Sequence, residues 1–379
     1  EAEIVWQWKL YDHMVQDIDS TKNNFGVISE HPELIDINSR NFQGGGSASA
    51  DWFHMNSVNY NAELDQIIFS SRSLNEIYII DHSTSIEEAA GHTGGIAGKG
   101  GDILFRWGNP RIYHRGGIED QRLYGQHDAH WIPGDRPGGG NLMIFNNGSG
   151  RPEGNFSTIE VVQPPLNGFN YNIPEGEKYG PEDALWTFEG AGNTEFYSSR
   201  ISGAQRQPNG NTLICSGNQY RIFEVDPAGN LVWDYINPVN QNGALSQGSS
   251  SSSRDMFRAY RYSPDYPAFE GKDLIPGDPL ESNPQPYLCN IYDITTSVNT
   301  LTQKDDFQIF PNPGSDIVYI SNDLPGNYNL TLMDMTGQPM ISYSNIHQQN
   351  FELDVSPYPP GVYILRIGNA AKRLMITKP

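Results

Sequence analysis

NTLICSGNQYRIFEVDPAGNLVWDY, residues 211–235, contains three short runs in which apolar and polar residues alternate: NTLICSG (211–217), RIFEVD (221–226) and NLVWDY (230–235). Turn-forming residues separate or precede them, DPAGN at 226–230 and PNGN at 208–211. A period of two, bounded by Gly, Pro, Asn and Asp, marks half-buried strands joined by tight turns. The last run sets large aromatic side chains behind an acidic or amide residue. That pattern recurs as EIVWQW at Glu3–Trp8, DILFRW at Asp102–Trp107 and DALWTF at Asp183–Phe188. Before DILFRW stand QIIFSS (66–71) and EIYIID (76–81), and before DALWTF stand NLMIFNN (141–147) and STIEVV (157–162). Each set follows an opening run: FHMNSVNYN, HDAHWIP or SSRISGAQRQP. A four-stranded unit therefore occurs three times. An antiparallel unit repeated at long intervals predicts an all-β fold of β-propeller type. A sandwich also has many short strands, but it does not predict the same aromatic fourth strand in each set.

Outside these sets the pattern thins. Glu3–Trp8 reads as a fourth strand without its first three. It is expected either to close a last blade begun by DMFRAYRYSPDYPAF (255–269) and PYLCNIYDI (286–294), or to follow missing N-terminal strands. The start at Glu1, without Met or leader, is read as processed or trimmed. Residues 11–50 read as an insertion, and QGSSSSSR (247–254) as a flexible loop. After about residue 300, FQIFPNPGSDIVYI, YNLTLMDMTGQPMI, NFELDVSPYPPGVYILRI and AAKRLMITKP alternate compactly, as in a small immunoglobulin-like β-sandwich. The expected domains are 1–298 and 299–379.

A net charge of −21 excludes the basic surface that nucleic-acid binding requires. No run of 18 apolar residues is present to cross a membrane as a helix. Cys215 and Cys289 read equally as one disulfide or as two buried thiols. No HxH or HExxH spacing appears, so no metal or cofactor is expected. DIDSTKNNFG (17–26) lacks the closing Glu of a calcium loop. GGIAGKGG (94–101) does not fit phosphate-loop spacing and reads as a flexible turn.

In an antiparallel unit A-B-C-D, the loop into A and the loop from B to C lie at the same end, and A borders the centre. His54 and His127 stand at the starts of two A strands, and Arg200 stands at the third, at even intervals of 73 residues. Arg151 falls in a B–C connection, and Arg72 just follows a B strand. Together they predict one cationic mouth on an anionic protein, suited to an anionic group of a small-molecule substrate. The arginine forks would bind sulfate, phosphate or carboxylate oxygens, and the histidines would supply proton transfer or nucleophilic attack. His130 and the remaining histidines read as packing or loop residues.

DWFHMNSVNYNAELDQIIFSSRSLNEIYIID (51–81), GQHDAHW…GGGNLMIFNNGSGR (125–151) and QRQPNGNTLICSGNQYRIFEVDPAGNLVWDYINP (205–238) resemble the bacterial aryl-sulfate sulfotransferase family over most of residues 1–295. The resemblance implies a six-bladed propeller that moves a sulfuryl group from a phenolic sulfate to a phenol through a sulfated histidine, without a nucleotide donor. It marks His54 and His127 as active-site histidines and Arg151 as a sulfate-binding arginine. The family pattern carries a further histidine before the PNGN turn. Here that stretch reads YSSRISGAQRQPNG, with Arg200, and no histidine occurs between His130 and His347. FPNP (310–313), DMTGQ (334–338), PGVYILRI (360–367) and the closing KRLMITK resemble the type A sorting domain of type IX secretion over roughly residues 305–379. This implies export across the outer membrane of a Bacteroidetes-type cell, with the secretion machinery as partner. Two functions are expected: a secreted aryl-sulfate sulfotransferase with His127 attacking and His54 shuttling protons, or a non-catalytic secreted propeller that binds sulfated or acidic ligands such as glycans.

Overall fold

Nearly every alternating run of the three repeats forms a strand in the computed structural model. It describes residues 2–39, 51–190, 196–250, 253–284, 307–322, 327–334, 338–367 and 370–377. The chain separates into two units, Glu1–Tyr287 and Leu288–Pro379; the boundary expected at 298/299 lies outside the described residues.

In the first unit, β1 (Met55–Asn61), β2 (Gln66–Ser71), β3 (Glu76–Asp81) and β4 (Ile103–Trp107) form one antiparallel sheet in sequential order. β5 (His127–Trp131), β6 (Leu142–Asn146), β7 (Thr158–Val162) and β8 (Trp186–Phe188) form the second, and β9 (Gly203–Arg206), β10 (Thr212–Ser216), β11 (Arg221–Val225) and β12 (Leu231–Ile236) the third. The turns form for local reasons. Asn61 Oδ1 accepts the backbone N–H groups of Glu63 and Leu64, and Asp226 Oδ1 accepts those of Ala228 and Asn230.

Strand alternation assigns each sheet two apolar faces. Along β6, Leu142 and Ile144 join a core with Ile68, Ile79 and Trp107 of the first sheet. Met143 and Phe145 join another core with Ile214, Phe223 and Val225 of the third sheet. Burial of each of these side chains contributes roughly 1.5–3 kcal/mol. First strands are also linked directly. Ser57 Oγ accepts Ala129 N–H at 3.1 Å, and Asp128 Oδ2 accepts Ala204 N–H at 3.1 Å. The three starting loops are thereby drawn together.

The far face of the first sheet is covered by the N-terminal segment. Glu3–Trp8 is not a strand there, contrary to its alternation. Trp6 and Trp8 pack instead on a core with Phe69, Tyr78 and Ile80, and Trp8 Nε1 donates to Gly101 O at 2.7 Å. Side-chain burial alone generates the alternating pattern. Buried Arg106 holds this cover: it pairs with Glu76 and donates to Leu34 O at 2.9 Å and Pro32 O at 3.2 Å. Residues 255–269 also form no strand. They run beside the third sheet, where Phe257 O accepts Ser202 N–H at 2.8 Å, and contain only a short 3-10 turn at Pro267–Phe269. PYLCNIYDI lies outside the described residues. GGIAGKGG is hydrogen-bonded internally, Gly100 N–H to Gly94 O at 2.9 Å, rather than a bare turn. Cys215 is a buried free thiol, pushed up to about 12 mainly by burial. Cys289 is outside the described residues.

In the second unit, β13 (Phe307–Phe310), β14 (Ile317–Asn322) and β17 (Asn350–Asp354) form one antiparallel sheet. β15 (Tyr328–Met333), β16 (Pro339–Ile346), β18 (Gly361–Ile367) and β19 (Ala370–Ile376) form another. Along β18, Tyr363, Leu365 and Ile367 face a core shared with Val318, Ile320 and Leu353, while Arg366 faces outward. The only α-helix among the described residues is Ile86–Ala89, and no helix is long and apolar enough to cross a membrane.

Candidate functional site

The starts of β1, β5 and β9 converge on a cavity of about 650 Å³. His54, Asn56, Arg72, His127, Arg200, Ile201, Phe257 and Arg258 contribute to its wall. His54 immediately precedes β1 at φ 49°, and its carbonyl accepts Arg72 N–H at 3.1 Å. Its Nδ1 lies 2.6 Å from Asp51 Oδ2, which fixes that nitrogen as the donor and leaves Nε2 for other chemistry.

His127 is buried at the start of β5. Its Nδ1 donates to Asn147 Oδ1 at 2.7 Å and approaches Gly125 O at 3.1 Å, so Nε2 carries the lone pair. Burial pushes His127 down to about 4, against the hydrogen bonds from Asn147 and Gly125, with the charges of Arg72 and His54 pushing the same way as burial. It is therefore neutral near pH 7. Its Nε2 accepts Ile201 N–H at 3.2 Å. Ile201 and Ser202 hold φ values of 51° and 88°, a left-handed conformation that costs a β-branched residue on the order of 1–3 kcal/mol. Asn147 helps hold this bend by donating to Ser198 O at 2.7 Å and Ile201 O at 3.0 Å.

The arginines differ in what satisfies them. The Arg72 guanidinium has no hydrogen bond or ion pair among the described residues, and it lines the cavity. Arg200 lines it too, but its Nη2 donates to Asp255 Oδ2 at 2.6 Å. Arg151 does not share this cavity. Its Nη2 donates to Thr158 Oγ1 at 2.7 Å and lies 3.7 Å from Glu160 Oε1. Its guanidinium carbon lies 4.6 Å from the Phe156 ring centre. It belongs to a separate cavity of about 630 Å³ with Arg122, Glu153 and Asp183. The expected position in a B–C connection is right, but the side chain turns to a partner on its own sheet. Gly148 at φ 74° and Gly150 at φ 87° shape that connection, and Thr158 and Glu160 of β7 receive the charge.

Four of these wall residues escaped the sequence reading: Asn56, Ile201, Phe257 and Arg258. Asn56 donates to Gln126 O at 2.7 Å, and its buried Oδ1 has no partner among the described residues. Arg258, beside Phe257, forms an ion pair with the buried Asp128, Nη1 to Oδ1 at 3.1 Å, and Tyr260 donates to the same oxygen at 2.5 Å. The signal for Arg258 was present in DMFRAYRYS, had it been read as a loop at a mouth rather than as a strand. His130 stays outside the cavity, with Nδ1 2.7 Å from Asp128 O.

Comparison with known proteins agrees with the sequence. Residues 1–251 match the arylsulfotransferase (ASST) family, and residues 308–378 match the secretion system C-terminal sorting domain. Arylsulfate sulfotransferase AssT of Escherichia coli O6:H1 and that of Lelliottia amnigena are each 28% identical over 192 residues. Those alignments cover 48% of this chain and 30% of each relative, so the match spans less than a third of their length. A Bacteroides caccae protein of unknown function aligns over 77% of this chain and 82% of its own, with 13% identity and a TM-score of 0.28. The type IX sorting domain marks the chain for export to the outer membrane, cell surface or medium. By the extent of its match, the chain belongs to the arylsulfotransferase family.

Proposed function

We propose that the protein is a secreted aryl-sulfate sulfotransferase working at the cavity of His54, Arg72 and His127, and that its three sheets are blades of a propeller of the family's six-bladed type, with the C-terminal unit an immunoglobulin-like sandwich. The observation that carries this reading is the unpaired Arg72 guanidinium in one cavity with two histidines whose tautomers are fixed by acceptors at Nδ1. An arginine fork without an internal counter-charge suits the oxygens of a sulfate monoester.

In this mechanism the neutral His127 attacks sulfur through Nε2, forming an N–S bond as the S–O bond to the phenolic oxygen breaks. His54, entering the cycle as the imidazolium, delivers its Nε2 proton to the departing oxygen. It then takes one from an acceptor phenol, whose oxygen attacks sulfur and releases His127. Arg72, with Arg200 and Arg258 nearby, balances the charge spread over the sulfuryl oxygens. Ile201 N–H must leave Nε2 as substrate enters, and the left-handed bend at Ile201–Ser202 favours that release.

Purified chain is expected to turn over a chromogenic aryl sulfate when a phenol acceptor is present. Turnover no higher than that of the His54→Ala/His127→Ala double variant would refute catalysis. The hydrogen bond on His127 Nε2 favours a second reading, a secreted module that binds sulfated or acidic glycans without turning them over. It predicts salt-sensitive calorimetric binding with no product.

A further inference from the structure

Away from this cavity, at the edge where the N-terminal cover meets the first sheet, two imidazoles converge on one carboxylate oxygen. Asp102 Oδ1, just before β4, lies 2.9 Å from His13 Nδ1 and 2.8 Å from His92 Nδ1. His13 is fully buried, and its Nε2 lies 2.8 Å from Ala89 O. A carbonyl can only accept, so Nε2 carries the hydrogen. In a neutral ring, Nδ1 then aims its lone pair at a carboxylate oxygen, and no hydrogen remains to join them. A second proton on the ring, or a metal ion bound by both groups, resolves this conflict.

We propose that His13 Nδ1, His92 Nδ1 and the Asp102 carboxylate form a binding site for a divalent transition metal ion. These three ligand atoms all lie within 4.8 Å of one another. An ion about 2.1 Å from each, with N–O separations near those observed, has ligand angles of about 90°, a fragment of an octahedron completed by water. The bond from His13 Nε2–H to Ala89 O is the outer hydrogen bond that orients a metal-bound histidine.

The slot around His13 is built closely. Trp8 stacks on its ring with centroids 5.4 Å apart and planes 3° from parallel. Gly101 leaves room for the ring: a Cβ there would lie 2.6 Å from His13 Nε2 and 2.1 Å from Ala89 O. The His92 side is open. Its side chain is 61% exposed and borders a cavity of about 650 Å³ with Tyr11, Asn24 and His31, which gives an ion a route in. The ion would fasten three segments distant in sequence: the N-terminal cover, the glycine-rich loop after His92 and the start of β4. Its role is structural, since the sulfuryl-transfer cavity has none of these residues.

The test uses untagged full chain, stripped with a chelator and titrated with Co²⁺ by absorbance and with Zn²⁺ by calorimetry. One equivalent per chain is expected, with Co²⁺ absorption typical of nitrogen and oxygen ligands and a rise in Tm on the order of 5 °C with Zn²⁺ in excess. His92→Ala, at an exposed side chain, should fold and bind Zn²⁺ about 100-fold more weakly, and Asp102→Asn should lose uptake as well. No stoichiometric uptake by the unaltered chain, the result for a simple His–Asp ion pair, would overturn the site. So would equal affinity in His92→Ala.

Discussion

Arg106 lies in β4 and Arg72 just after β2 of the same sheet, and the two have opposite surroundings. Arg106 is fully buried. Its guanidinium pairs with Glu76, donates to two backbone carbonyls, and stacks 4.3 Å from the centre of the Tyr113 ring. Arg72 lines a cavity, and its guanidinium has no hydrogen bond or ion pair among the described residues. A cation that holds the fold is saturated by its own chain, whereas one that awaits a ligand is left incomplete. By this criterion Arg151, paired with Thr158 and Glu160 and stacked on Phe156, resembles Arg106 more than Arg72.

The largest effect should come from breaking the saturated cation. Arg106→Ala leaves the buried Glu76 carboxyl without its cation and should destabilise the first unit by about 3–5 kcal/mol, read by denaturant unfolding. A loss below about 1 kcal/mol would remove the contrast. Next comes acid. His127 is held near 4 when folded and titrates near 6.5 when unfolded, so at intermediate pH the unfolded chain binds the extra proton. Stability from this residue is fully present above about pH 6.5 and lost as pH falls toward 4, by up to about 3 kcal/mol. His127→Gln should flatten that limb of a stability–pH curve. Because Arg72 is one of the charges holding His127 down, Arg72→Ala should shift the limb to higher pH.

Much of this was legible beforehand and some was not, for identifiable reasons. QIIFSS and EIYIID became β2 and β3 at the predicted bounds because a period of two, broken by turn residues, is a local property. EIVWQW has the same period yet forms no ladder: alternation records which side chains are buried, not whether the backbone finds a partner. The even spacing of His54, His127 and Arg200 anticipated their shared cavity, since it follows the repeat. Arg151 failed at the last step, because sequence assigns an end of a sheet but not the direction of a long side chain. His13, His92 and Asp102 were passed over because their convergence depends on a chain crossing that no local spacing reports.

Smaller effects sharpen the contrast further. Arg72→Ala should lower kcat about 10²-fold by removing charge stabilisation from the transition state, while changing stability by no more than about 0.5 kcal/mol. Equal losses in both would make Arg72 a structural cation. Smallest of all, Arg151→Ala should cost about 1 kcal/mol of stability through its ring and carboxylate contacts and leave turnover unchanged. A large kcat loss there would restore Arg151 to the chemistry.

The most direct test of the central claim is peptide mass spectrometry after brief exposure of the chain to an aryl sulfate without acceptor, with the quench kept alkaline to preserve an N–S bond. The account predicts a sulfuryl adduct on the peptide containing His127, absent from His127→Ala. An adduct confined to another residue, or none in a chain that still turns over substrate, would contradict it.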